Sequence, residues 1–121
     1  MDGHEAFERV RTARAFAITD PTQGGKFTLQ ERAFFHVLNG PQAAAKFGVL
    51  VGKGTLAGRM YGLLGLKITA PPAFAKALPK FLRSWRKVPV ATGSRKTKDV
   101  WARTVAAQIR DGDYGEYLKG N

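Results

Sequence analysis

From Arg32 to Lys98 the chain has no aspartate or glutamate, but it has thirteen lysines and arginines. Those other than Arg32 are Lys46, Lys53, Arg59, Lys67, Lys76, Lys80, Arg83, Arg86, Lys87, Arg95, Lys96 and Lys98. The acids lie at the two ends: Asp2, Glu5, Glu8, Asp20 and Glu31 before this window, and Asp99, Asp111, Asp113 and Glu116 after it. The net charge is +11. Cations with so few internal partners form a positive surface, and the chemistry such a surface does is to hold a polyanion. The two polyanions it implies are nucleic acid and an anionic membrane.

Catalytic and metal chemistry have little to work with. There is no cysteine, which removes thiolate metal sites and disulfide scaffolds. His4 and His36 are far apart, and the further histidines or carboxylates at ligand spacing that a metal site would need do not appear, so neither metal nor cofactor is expected. His36 lies among Phe34, Phe35 and Val37 and reads as a residue at the edge of a core. Asp111, Asp113 and Glu116 read as a solvated C-terminal turn. A metal-independent nuclease built on His36 with nearby Lys, Arg and Thr remains an alternative, of the kind found in small basic toxin domains.

The elements that position the cations read as helices. With 121 residues, 44% of them hydrophobic, the chain makes one domain with a modest core. Phe7, Val10, Ala13 and Ala17 place a first helix over 4–17. Asp20-Pro21 and Gly24-Gly25 mark a loop. Thr28 and Glu31 form a capping-box pattern opening a helix that buries Leu29, Ala33, Phe34, Val37 and Leu38 and stops at Asn39-Gly40. Pro71-Pro72 starts a basic amphipathic helix over 72–87. Phe74, Ala77, Leu78, Phe81, Leu82 and Trp85 lie on one face, Lys76, Lys80, Arg83, Arg86 and Lys87 on the other, and Pro79 interrupts the polar side. Val88 to Thr92 reads as an extended linker and Ser94 to Lys98 as a basic loop. A last helix over 97–111 buries Val100, Trp101, Val105 and Ile109. Trp85 and Trp101 are expected as core anchors. The expected fold is all-α, a single-domain bundle of four or five helices. No secretory signal and no apolar run of spanning length is visible, which points to the cytoplasm or the inside of a virion.

Between these elements lies GPQAAAKFGVLVGKGTLAGRMYGLLGL, residues 40–66. Over 42–66, Gln42 to Val49 followed by Gly54-Thr55-Leu56, Arg59 and Gly65-Leu66 resembles the helix-turn-helix of Fis-type and response-regulator-type DNA-binding domains. That resemblance implies that Lys53 and Thr55 meet phosphate or base edges and that Arg59 points into the groove. Read instead as one continuous helix, the stretch places Gly48, Gly52, Gly54, Gly58, Gly62 and Gly65 on one broad side, as in close-packed small-residue interfaces. Gly52-Lys53-Gly54-Thr55 also resembles the end of a nucleotide-binding phosphate loop, though no carboxylate follows at the required place. A fourth reading pairs Phe47–Val51 with Leu63–Thr69 as strands.

The function these features imply is a non-enzymatic basic protein binding nucleic acid, DNA ahead of RNA. Lys53, Thr55 and Arg59 would face the groove, and Lys76, Lys80, Arg83, Arg86, Lys87, Arg95, Lys96 and Lys98 would hold phosphates. The competing reading is a structural or membrane-active protein, such as a phage virion or ejected component, that forms homo-oligomers or larger assemblies through its glycines.

Overall fold

The computed structural model describes residues 1–19, 26–92, 96–115 and 118. Asp2 caps α1 (Gly3–Arg11) by accepting the Glu5 amide at 2.8 Å. The helix stops well short of residue 17. Residues Phe16–Ile18 form a short strand, β1, and the Tyr61 hydroxyl engages its backbone, accepting from Ala17 N at 2.9 Å and donating to Ala17 O at 3.0 Å. Those backbone groups are taken by a distant partner and so cannot close helical turns.

Helix α2 (Leu29–Leu38) opens with the full capping box between Thr28 and Glu31. Glu31 also does something local pattern does not show. It is fully buried, and its carboxyl group accepts from Thr28 N (3.0 Å), Thr19 N (3.0 Å) and Thr19 Oγ (2.7 Å). It therefore holds together the two chain segments on either side of Asp20-Pro21 and Gly24-Gly25, which lie outside the described residues. Ala33, Phe34 and Val37 face the core, whereas Leu29, expected inside, is 43% exposed at the first helical position.

The central stretch is two helices, α3 (Ala43–Lys53) and α4 (Leu56–Thr69), joined at Gly54-Thr55. It is neither one continuous helix nor a hairpin. Thr55 makes the corner: its hydroxyl accepts from Gly58 N (3.0 Å) and donates to Ala13 O (2.6 Å), and its amide donates to Arg11 O (2.9 Å). Helix α4 is the centre of the molecule, with Ala57, Gly58 and every residue from Met60 to Leu66 buried. Its glycines admit neighbouring backbone. A Cβ on Gly58 would lie 2.6 Å from Val10 O, and one on Gly62 3.0 Å from Leu50 Cβ and Phe47 O. A Cβ on Gly65 would overlap the Phe47 ring. By contrast, Gly48 and Gly52 on α3 face open space. An aromatic cluster surrounds α4: Tyr61 packs on Phe16 (4.8 Å between centroids) and Phe34 (5.5 Å), and Phe34 packs on Phe47 (5.5 Å).

Helix α5 (Pro71–Leu82) starts on its prolines, runs through Pro79 and turns Phe74 and Phe81 inward. It ends with Arg83 as its C-cap, so 83–87 are not helical. The next two elements are strands, which corrects the all-α expectation. Strand β2 (Lys87–Thr92) runs parallel to β1, with Phe16 opposite Val90, and antiparallel to β3 (Thr97–Trp101), with Lys87 opposite Trp101. The sheet order is β1-β2-β3. The molecule is thus a mainly helical α+β domain of six helices and a mixed sheet among the described residues. Residues 88–92 are a central strand rather than a linker. The last helix, α6 (Ala102–Asp111), begins five residues later than expected because Val100 and Trp101 belong to β3. Pro89 is compatible with its central position because β1 begins opposite Val90, past the missing N–H. Helix α6 closes at Gly112, in the left-handed region (φ 81°), and Lys67 Nζ donates to the last-turn carbonyls of Ile109 and Arg110 at 2.5 and 2.8 Å. Among the described residues no helix is long and apolar enough to cross a membrane.

Candidate nucleic-acid interface

The end of α5, the start of β2, the end of β3 and the start of α6 meet at one surface, and the tryptophans mark it. Trp85, expected in the core, is 70% exposed, and Trp101 is half-buried. The helical register that would have buried Trp85 is lost when α5 ends at Leu82. The next turn is held by Ser84, whose amide donates to Phe81 O (3.1 Å) and whose hydroxyl accepts from Arg86 N (3.2 Å). Strand alternation then turns Val88 and Val90 to the core and leaves Lys87 on the outer face, directly across from Trp101.

Three cation–ring contacts tie this surface together. The guanidinium of Arg103, in the first turn of α6, lies 3.6 Å from the centre of the Trp85 ring and 5.0 Å from that of Trp101. Lys87 Nζ lies 4.8 Å from the Trp101 ring. The two indoles meet edge to face, with centroids 5.9 Å apart at 86°. Such contacts contribute about 0.5–1 kcal/mol each at exposed sites, enough together to fix side-chain positions. Arg103 stands outside the acid-free window, and periodicity alone does not single it out. The available signal was the alternation of Lys87, Val88, Pro89 and Val90, which sets a strand and brings Trp101 and its neighbour Arg103 to this place.

Of the residues the sequence nominates, Arg83, Arg86 and Lys87 lie in or beside this surface and are exposed. Lys76 and Lys80 line the exposed side of α5 that leads to it. Lys96 and Lys98 are exposed on the approach to and along β3, the outer strand of the sheet. Arg95 lies outside the described residues. Lys53, Thr55 and Arg59 are elsewhere, at the α3–α4 corner docked on the end of α1. Lys53 is exposed, but the Thr55 hydroxyl is engaged by Ala13 and Gly58, and Arg59 Nε donates to Gly54 O at 2.9 Å. A helix that reads a groove needs one free face. The buried run from Met60 to Leu66 leaves α4 few positions for that.

The acids do not neutralise the surface. Among the described residues the ion pairs are Arg9–Glu5, Arg11–Glu8 and Arg110–Asp111, and none uses a cation from the acid-free window. The Arg11 guanidinium lowers the Glu8 carboxyl below its usual range, and Arg110 does the same for Asp111. The Glu5 amide lowers Asp2 at the start of α1. Asp99, exposed on β3 opposite Pro89, is the acid next to the cluster along the strand. His36 is exposed in the last turn of α2, and among the described residues no group of three or more metal-ligating side chains occurs. Compared with protein-family models, curated proteins and solved structures, the chain matches none.

Proposed function

We propose that this protein binds nucleic acid, with DNA as the first substrate to test, through the surface formed by α5, β2, β3 and the start of α6. The observation that carries this reading is a set of exposed cations (Arg83, Arg86 and Lys87) beside two tryptophans, continued by Lys80 on the exposed side of α5 and Lys98 on β3, all without ion-pair partners among the described residues. Phosphate supplies the negative charge this surface lacks internally, and each neutralised phosphate releases a counterion and makes binding salt-dependent. Gly58 and Gly62 pack against α1 and α3 inside the fold, which removes them from any external assembly face.

The test is a binding titration with labelled DNA at salt concentrations from about 50 to 200 mM. Affinity should fall steeply with salt. In the Lys80→Glu, Arg83→Glu double variant the log–log slope should shrink by about 1.5–2, as expected for two lost phosphate contacts. Absence of binding to duplex and single strand alike at the lowest salt would refute the reading.

A further inference from the structure

We infer that Trp85 is a stacking platform for an unpaired base, so that the surface takes single-stranded nucleic acid in preference to duplex. The inference rests on the nucleic-acid reading above and narrows it. A tryptophan left 70% exposed is unusual, because its large apolar ring gains most from burial. Here the ring is also held in place. Arg103 lies against one face at 3.6 Å, Trp101 packs at 86° to it, and the Ser84 turn fixes the backbone on both sides. Since Arg103 covers one face and most of the residue remains accessible, the opposite face of the indole is open to solvent. A rigid, open aromatic face backed by a guanidinium and flanked by Arg83, Arg86 and Lys87 has the two components of single-strand recognition: a ring on which a base can stack and cations along the path of the backbone. In a duplex the bases are stacked on one another, so the ring has nothing to receive and only the phosphate contacts remain.

The same residue types also occur where proteins rest on anionic membranes, but the surroundings favour the strand. The apolar residues of α5, Phe74 and Phe81, are buried against the core. The other large exposed apolar side chains among the described residues, Met1, Leu29, Val49 and Ile68, lie elsewhere in the chain, none of them on α5. Trp85 therefore lacks the continuous apolar face by which an amphipathic helix enters a lipid interface.

The experiment compares the full chain with Trp85→Ala, Trp85→Phe and Arg103→Gln. The probes are an oligonucleotide of about 20 nucleotides as single strand and as duplex, at about 100 mM salt. Circular dichroism confirms folding. The wild type should bind the strand more tightly than the duplex and lose indole fluorescence when it does. Trp85→Ala should weaken strand binding on the order of 5- to 100-fold and weaken duplex binding by clearly less. Trp85→Phe should restore part of the loss, because a smaller ring still stacks, and Arg103→Gln should fall between the two. Equal wild-type affinity for strand and duplex, or an equal loss on both probes in Trp85→Ala, would overturn the inference while leaving nucleic-acid binding intact. Failure of both probes to bind, at about 50 mM salt as well, would refute the underlying reading instead. Trp85-dependent binding to vesicles containing phosphatidylserine, without strand binding, would overturn both in favour of a lipid surface.

Discussion

Gly58→Ala and Gly48→Ala are the same chemical change on two helices, and the structure requires them to act with opposite sign. A Cβ on Gly58 would sit 2.6 Å from Val10 O and 2.9 Å from Arg11 O, both backbone atoms at the end of α1. Carbon and carbonyl oxygen do not approach this closely, so α1 would have to retreat by several tenths of an ångström. Arg11 O also accepts the Thr55 amide at 2.9 Å, and the Thr55 hydroxyl holds Ala13 O, so retreat strains the corner that starts α4. Overpacking costs about 1–3 kcal/mol, and a weakened hydrogen bond adds about 1 kcal/mol. The better helix propensity of alanine offsets about 1 kcal/mol. The net loss is about 2 kcal/mol, or a fall of about 8 °C in Tm for a chain of this size. On α3, Gly48 has nothing within 4 Å of the same added atom, so only the propensity gain remains. Gly48→Ala should raise Tm by up to about 4 °C, and Gly52→Ala should behave alike. Thermal unfolding followed by circular dichroism, with all three variants beside the wild type, reads the result directly. A Gly58→Ala variant as stable as Gly48→Ala would refute the packing of α1 on α4 and return the glycine row to the outside of the protein.

Glu31→Gln should lower stability by about 2–3 kcal/mol, since one side of the amide must present N–H to a donor from Thr19 or Thr28. In urea this appears as a midpoint drop of about 1–2 M with unchanged slope, and an unchanged midpoint would mean that the buried carboxyl does not hold the two segments together. Alkaline pH should destabilise the fold through its tyrosines. Burial pushes Tyr61 well above its ordinary value of 10.0, and burial together with the charge of Asp113 pushes Tyr114 up to about 12. Above pH 10 the unfolded chain loses phenolic protons that the folded chain keeps, so stability falls as pH rises, by about 1.4 kcal/mol per pH unit for Tyr61 alone. Phenolate absorbance should then rise together with unfolding, and in Tyr61→Phe stability should decline less steeply. Full ionisation of all tyrosines near pH 10 in the folded protein would contradict the burial.

What the sequence revealed was local. The Thr28–Glu31 capping box, the stop at Asn39-Gly40 and the proline start of α5 depend on neighbours within a few residues, and such signals survive without knowledge of the fold. The strands depend on partners far along the chain. β1 has three residues and no alternation to recognise, and its identity as a strand comes from Tyr61 and Val90. β2 contains a proline, which argues against a central strand unless the start of β1 is known. The site was half-legible for the same reason. The cations of α5 follow from composition. The exposure of Trp85 follows from where the helix stops, and the position of Arg103 over its ring from a strand pairing that places α6 beside α5. Spacing by four looks alike whether the close neighbour is another molecule or, as for Gly58 and Gly62, the protein's own α1 and α3.

The parallel pairing of β1 with β2 also sets an order of events during folding. Phe16 and Val90 are more than seventy residues apart, and the connection between them contains α2, α3, α4 and α5. Closing so long a loop is entropically slow, and high contact order of this kind retards folding. During synthesis the helices of the first eighty residues emerge while β1 has no strand to join, so Phe16–Ile18 leaves the ribosome unpaired. The surface built from Trp85, Trp101 and Arg103 lies at the opposite edge of the same sheet, where β3 and α6 meet the turn after α5. That surface therefore forms only once β2, β3 and α6 have joined the helices made before them.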